Sequence, residues 1–238
     1  MRSHLHGSPS IDVVHVVVPA HNEEQLIGRA LAAIIEACHH AEAVHRGLVV
    51  RTTVVLDRCT DATEQSVNAL GVDTCVIDAG AVGAARRAGV DHVAATSRDR
   101  LPERIWVACT DADSVVPPTW LTEHLRWAGS HDVVVGGVRP DPSETEPGHL
   151  AEWERRHRMP GRHVHGANLG FRLAAYLRTA GFEAVSEHED VRLVGALESL
   201  GASIAIGTEV LTSSRHAGRT PGGFAGYMAE IAAELAPS

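Results

Sequence analysis

Apolar positions along the chain come in short β-branched runs, and each run breaks on a polar turn that leads into a helical period. Asp12 to Pro19 opens the series: Val13, Val14, Val16, Val17 and Val18 form a near-continuous run of the kind buried on both faces of a sheet. The run stops at Pro19-Ala20-His21-Asn22-Glu23-Glu24. From Gln25 to His40, Leu26, Ala30, Leu31, Ile34 and Ile35 then recur at helical spacing, with Asn22 the expected N-cap and acidic residues in the first turn. Leu48 to Leu56 predicts a second strand and Ala62 to Leu70 a helix. Val72 to Ile77, Arg104 to Thr110 and Val133 to Val138 predict further strands, and Ala81 to Ala95 a helix between the first two of these. Strands alternating with helices need crossover connections, so the expected fold class is α/β with a mostly parallel central sheet flanked by helices.

The latter part of the chain has a different texture. Arg139 to Pro147 reads as a loop, Leu150 to Arg158 as a strongly charged helix, and Pro160 to His165 as a basic loop leading into Gly166-Ala167-Asn168-Leu169-Gly170-Phe171. A short helix near Ala174 to Thr179, an amphipathic helix through Val191, Leu193, Val194, Leu197 and Leu200, and short strands at Ser203 to Ile206 and Val210 to Thr212 follow. Ser213 to Tyr227 is rich in glycine and carries Arg215 and Arg219. This composition predicts a mobile lid that closes over an anion, against a docked segment whose glycines serve tight turns.

Composition narrows the chemistry. At 238 residues the chain is long enough for one substantial core, and its net charge of −9 argues against a non-specific grip on nucleic acid. All 21 basic residues are arginines, which excludes a P-loop lysine, a Schiff-base lysine and any lysine nucleophile. No apolar stretch is long enough to span a bilayer, and Met1 to Ser10 lacks the apolar core of a signal peptide, so a soluble, cytoplasmic protein is expected. Cys38, Cys59, Cys75 and Cys109 show no Cys-x-x-Cys spacing and read as reduced thiols. The 16 histidines include no paired zinc spacing, and His4, His6, His39 and His40 read as surface residues.

Candidate chemistry gathers after the strands. Asn22 and Glu23, Asp57 and Asp61, and Asp111 and Asp113 follow three successive runs, and in an open α/β sheet ligands bind outside the carboxyl ends of the strands. Trp106 to Ser114 is the sharpest case, an apolar run ending in Asp111-Ala112-Asp113. An Asp-x-Asp pair suits a hard cation such as Mg²⁺ or Mn²⁺, which takes one or two carboxylates plus substrate phosphates. Taken alone, it also suits a capped turn before the helix that follows Pro117-Pro118. Gly80 to Gly89 has the wrong spacing for a dinucleotide fingerprint and reads as helix-packing glycines, with Arg86 and Arg87 within reach of an anionic ligand.

Together, Val-Val-Pro-Ala-His-Asn-Glu-Glu at the first strand, the Asp-containing turn after the second, Thr-Asp-Ala-Asp after the fourth, Gly-Ala-Asn-Leu-Gly-Phe-Arg, and Glu-Asp heading a helix resemble a family 2 glycosyltransferase of GT-A fold over roughly residues 12 to 220. The resemblance implies a single GT-A domain over 1–238. Residues 12–138 form its nucleotide-sugar-binding part, and 139–238 its acceptor-side part and C-terminal lid. It implies that Pro19, His21, Asn22, Glu23, Asp57, Arg86, Asp111, Ala112, Asn168, Arg215 and Arg219 contact a nucleotide diphosphate sugar. Asp113 and Asp111 are its implied metal ligands, His216 either completes the metal shell or makes a phosphate or surface contact, and Asp190 and Glu189 are its implied catalytic carboxylates. Two departures stand out: Asp57-Arg58-Cys59-Thr60-Asp61 replaces consecutive aspartates, and the family's frequent Gln/Arg-x-x-Arg-Trp motif is missing, with Arg215 to Arg219 in its place.

Sugar transfer from a diphosphate builds charge on the leaving group and frees a proton from the acceptor hydroxyl, so a cation and arginines should meet the first and a carboxylate the second. Asp190 is the candidate base, and a first-turn helix acid is its structural alternative. A single base implies inversion. The competing functions are a sugar nucleotidyltransferase, which would usually carry a glycine-rich basic loop after strand one, and a non-catalytic sugar-nucleotide-binding module.

Overall fold

A computed structural model of the protein describes residues 9–157, 164–215 and 223–235. The first half follows the alternating plan: β1 (Val13–Ala20), α1 (Ile27–Val44), β2 (Val49–Asp57), α2 (Thr63–Ala69), β3 (Asp73–Ile77), α3 (Val82–Thr96) and β4 (Ile105–Cys109). Then come β5 (Ser114–Val115), α4 (Trp120–Ala128), β6 (Val133–Val135), β7 (Val138–Pro140) and α5 (Pro147–Arg156). The last elements are β8 (Leu169–Arg172), α6 (Leu173–Tyr176), α7 (Glu189–Ser199), β9 (Ile204–Ile206), β10 (Val210–Thr212) and α8 (Phe224–Leu235).

Seven strands form the central sheet in the order β3-β2-β1-β4-β8-β6-β9. All pairings are parallel except those of β8, which runs antiparallel to both β4 and β6. The valines of β1 split by strand alternation. Val14, Val16 and Val18 pack with Ile27, Leu31 and Ile34 of α1 and Trp120 of α4, while Val13 and Val17 pack with Val90 and Val93 of α3 on the other face. Truncating a fully buried member such as Leu31 to alanine removes contacts worth about 2–5 kcal/mol. Close packing also explains Gly83 and Gly89. A Cβ at Gly89 would stand 3.1 Å from a Val55 methyl and nearer still to Val17, and one at Gly83 would press on the carbonyls of Glu183 and Val185.

Several boundaries differ from the sequence reading. The first helix is capped by Leu26 rather than Asn22 and has no acidic residue in its first turn; Asn22 instead sits at φ 54° with Oδ1 accepting from the Thr60 N–H at 2.7 Å. The expected fifth strand divides at Gly136-Gly137. Its first part stays in the large sheet, and β7 joins a second sheet of order β5-β10-β7. Gly136 permits the break because a Cβ there would collide with the Asn168 amide and lie 2.6 Å from the Thr208 carbonyl. Strand β8 and helix α8 were not expected. Helix α8 occupies part of the supposed lid and packs on α5 through Trp153, Met228 and Ile231, a small apolar cluster separate from the two faces of the sheet.

Candidate active site

A cleft of about 900 Å³ opens at the carboxyl ends of the parallel strands and is lined from both parts of the chain. On the first part it is bounded by Pro19 near the end of β1, His21 and Glu23 after it, Asp57 at the end of β2, Gly80 and Ala81 ahead of α3, Arg86 on α3, and Asp111, Ala112 and Asp113 after β4. Facing them are Gly166, Glu189, Asp190 and Arg215, with Trp153, His157, Phe224 and Tyr227 from the α5/α8 pair.

Each charged group is held in a definable way. The Asp57 carboxylate accepts from the N–H groups of Ala79 at 2.8 Å, Gly80 at 2.9 and 2.8 Å, and Ala81 at 3.1 Å. Gly80 reaches this turn at φ 70°, a conformation glycine adopts without cost. His21 Nδ1 lies 2.5 Å from the Asp57 carbonyl, which ties its ring to the main chain of the same residue. Glu23 is buried and takes a two-pronged bond from Arg215, at 2.6 Å for each nitrogen; the same guanidinium donates to Asp113 at 3.0 Å. Burial, reinforced by the neighbouring Asp111 charge and opposed by Arg215, pushes the Asp113 carboxyl up to about 6. Arg86 is buried and ion-paired to both Glu189 and Asp111, the latter at 2.5 Å. Burial works against its charge, but the two acids outweigh it and raise the guanidinium above its ordinary value. Burial likewise raises Glu189, with Arg86 pulling the other way. Asp190, in the first turn of α7, accepts from the Gly166 N–H at 2.6 Å and the Val191 N–H at 2.7 Å.

Thus the structure brings Pro19, His21, Glu23, Asp57, Arg86, Asp111, Ala112, Asp113, Glu189, Asp190 and Arg215 to one cleft. Two of the expected ligand contacts have partners within the protein. Asn22 turns to Thr60, and Asn168 is spent inside the protein: its Nδ2 donates to the carbonyls of Gly137 and Thr208 at 2.8 and 2.7 Å, and its Oδ1 accepts from Trp120 Nε1 at 2.9 Å. Arg87 faces the Phe182 carbonyl at 3.5 Å. His216 and Arg219 lie outside the described residues, as does the middle of the expected lid. Its two ends are docked rather than free, since Ser213 Oγ donates to Glu144 at 2.8 Å, Ser214 Oγ donates to the Glu144 carbonyl at 3.1 Å, and Phe224 opens α8. Sequence reasoning missed the amides of residues 79–81 and the α5/α8 wall. The first carried a signal in Gly80, and the second in the apolar period through Phe224, Tyr227, Met228 and Ile231.

Among the described residues no three His, Cys, Asp or Glu side chains form a cluster able to hold a metal alone. The pair Asp111 and Asp113 nevertheless fits a hard cation in its donor chemistry. Two carboxylates whose charges oppose one another, one of them desolvated, gain from a cation that completes its shell with phosphate oxygens.

The family model described as "Glycosyl transferase family 2" matches residues 15–177. The chain belongs to this family. Its fold is that of solved GT-A transferases. Glucosyl-3-phosphoglycerate synthase from Mycobacterium tuberculosis, crystallised with Mn²⁺, uridine diphosphate and phosphoglyceric acid, superposes with a TM-score of 0.59 at 18% identity, covering 95% of this chain and 80% of that one. The same enzyme with Mn²⁺ and UDP-glucose gives 0.58 at 20% identity over 92% and 76%. Residues 1–349 of TarS from S. aureus give 0.58 at 16% identity over 85% and 61%. No curated protein matches the chain by sequence. The match to family 2 ends at residue 177, so α7, β10 and α8 lie beyond it.

Proposed function

We propose that the protein is a divalent-cation-dependent, inverting glycosyltransferase that moves a hexose from a nucleotide diphosphate sugar to a hydroxyl acceptor. The observation that carries this reading is the convergence of Asp111 and Asp113 with Asp190 across one cleft. As one domain, residues 12–138 serve the donor, and 139–238 supply the acceptor side and the C-terminal segment that begins near Arg215. Mg²⁺ or Mn²⁺ held by Asp113 and Asp111 would neutralise charge on the leaving diphosphate.

The remaining steps belong to side chains of this chain. His21 and the amide-held Asp57 bound the nucleoside end of the cleft. Arg215, anchored by Glu23, offers a cation beside the diphosphate. On the other side, each Asp190 oxygen accepts one backbone N–H and keeps a second lone pair for the acceptor hydroxyl. As the acceptor oxygen bonds to the anomeric carbon, its proton passes to Asp190 and the bond to the diphosphate oxygen breaks with its electron pair on the leaving group. Attack opposite the leaving group, by one base, inverts the anomeric centre.

Two further features of the reading rest on chemistry. The four cysteines are free, in keeping with a reducing cytoplasm, and no described helix is long and apolar enough to cross a membrane. Thermal shift against a panel of nucleotide sugars, with and without Mn²⁺, followed by product analysis, tests the function. A Mn²⁺-dependent rise in Tm and release of nucleoside diphosphate are expected. Release of inorganic pyrophosphate would indicate a nucleotidyltransferase, and binding without any release a non-catalytic module.

A further inference from the structure

Arg86 was expected to grip the donor, yet its side chain is 4% exposed and both terminal nitrogens are spent on the protein. One donates to Asp111 at the end of β4, the other to Glu189 at the head of α7, partners 25 and 103 residues away in the chain. The remaining nitrogen, Nε, is buried without a partner. Backbone also crowds the guanidinium. Gly166 lies against it so closely that a Cβ there would stand 2.6 Å from Nη1. The Gly166 N–H in turn holds the Asp190 carboxylate at 2.6 Å.

We propose that Arg86 is a positioning residue that sets the distance between the donor-side carboxylate Asp111 and the acceptor-side base Asp190, and that it does not bind the diphosphate. This inference rests on reading the cleft as a transferase site. The planar fork of arginine spans two carboxylates at once, and Gly166 stacked on it carries the same fixed spacing to Asp190. A lysine keeps the charge but reaches as a single point, so it holds one carboxylate or the other. Misplacement of reacting groups by about 1 Å costs on the order of 10²-fold in rate while leaving binding contacts intact.

The test separates kcat from donor affinity in R86K, using the nucleotide sugar that stabilises the wild-type protein and following nucleoside diphosphate release. The expected result is a folded variant with donor Kd within about threefold of wild type and kcat lowered roughly 10- to 100-fold. Gly166→Ala, which keeps Arg86 and both of its acids but pushes the guanidinium aside, should give the same pattern and serves alone should R86K fail to fold. Adding Glu189→Gln to R86K should lower kcat little further than the worse single variant, because the two changes break one unit. A tenfold weaker donor Kd in R86K, with kcat unchanged, would make Arg86 a donor ligand, and a folded R86K with wild-type kcat and Kd would make it merely structural; either overturns the assignment alone. A wild-type protein that binds donor yet releases nothing overturns the transferase reading and this inference together.

Discussion

Asp57 and Asp113 stand on either side of β1 at the same rim of the sheet, one at the end of β2 and the other just after β4, and they are held in opposite ways. Asp57 is gripped by main-chain amides of residues 79–81, donors that move only if the loop moves. Asp113 is met by the side chain of Arg215, about a third exposed and able to exchange partners without disturbing the fold. The contrast teaches where this cleft is fixed and where it is exchangeable. Backbone donors define the wall at Asp57, the nucleoside end on the proposed reading, whereas a side-chain cation leaves Asp113 available to a ligand that brings its own charges.

Asp113→Ala should break the exchangeable end outright. Turnover should fall on the order of 10³-fold and Mn²⁺ should no longer strengthen nucleoside diphosphate binding, while metal-free binding stays near wild type because Glu23 still anchors Arg215. Calorimetry that finds Mn²⁺-strengthened binding intact removes Asp113 from the metal site. Next in size, Asp190→Asn keeps shape and one acceptor oxygen but cannot take a proton, so kcat should drop roughly 10²-fold with donor Kd unchanged. Near-normal turnover with the authentic acceptor returns Asp190 to a first-turn helix acid.

Two smaller effects probe the fixed side. His15 on β1 bonds Thr53 of β2, and burial, aided by the charges of His92 and Arg51, lowers its pKa to about 4. The unfolded chain protonates this imidazole near pH 6.5 and the folded protein does not, so stability is full above about 6.5 and falls as the pH drops towards 4. Between pH 7.5 and 5 the loss from His15 is about 2 kcal/mol, and His15→Phe should flatten the urea-measured pH profile by that amount. An unchanged profile would show that the imidazole takes up its proton in the fold as readily as in the unfolded chain. Asp57→Ala should cost least, about 1 kcal/mol, because Ala79 and Gly80 are exposed and their amides recover water. Donor affinity should weaken with it, since the loop is no longer tied to β2; equal affinity would detach this wall from donor binding.

Legibility followed the range of the interactions. The runs that became β1, β2 and β4 were plain because both faces of β1 and β4, and of the second half of β2, are buried, and the Asp-x-Asp stood out as a sudden polarity at a strand end. Strand β8 was hidden because Leu-Gly-Phe-Arg has no alternation and is only four residues long. The N-cap of α1 was misplaced because Asn22 was needed elsewhere, against Thr60, 38 residues on. Asn168 and Arg86 were read as ligand contacts from their motifs, and only the folded chain reveals that their partners lie within it. Helix α8 was lost in a window whose glycines outweighed its apolar period.

The reversed polarity of β8 has an architectural consequence. Because Leu169 at its start pairs with Cys109 at the end of β4 and with Val135 at the end of β6, the connection that enters β8 emerges on the same rim as the connections that leave the parallel strands. The described part of that connection, residues 164–168, therefore stands at this rim, where Gly166 packs on Arg86 and Asn168 is bonded to Gly137 and Thr208. One reversed strand thus delivers a late segment of the chain to the rim at which the early strands end.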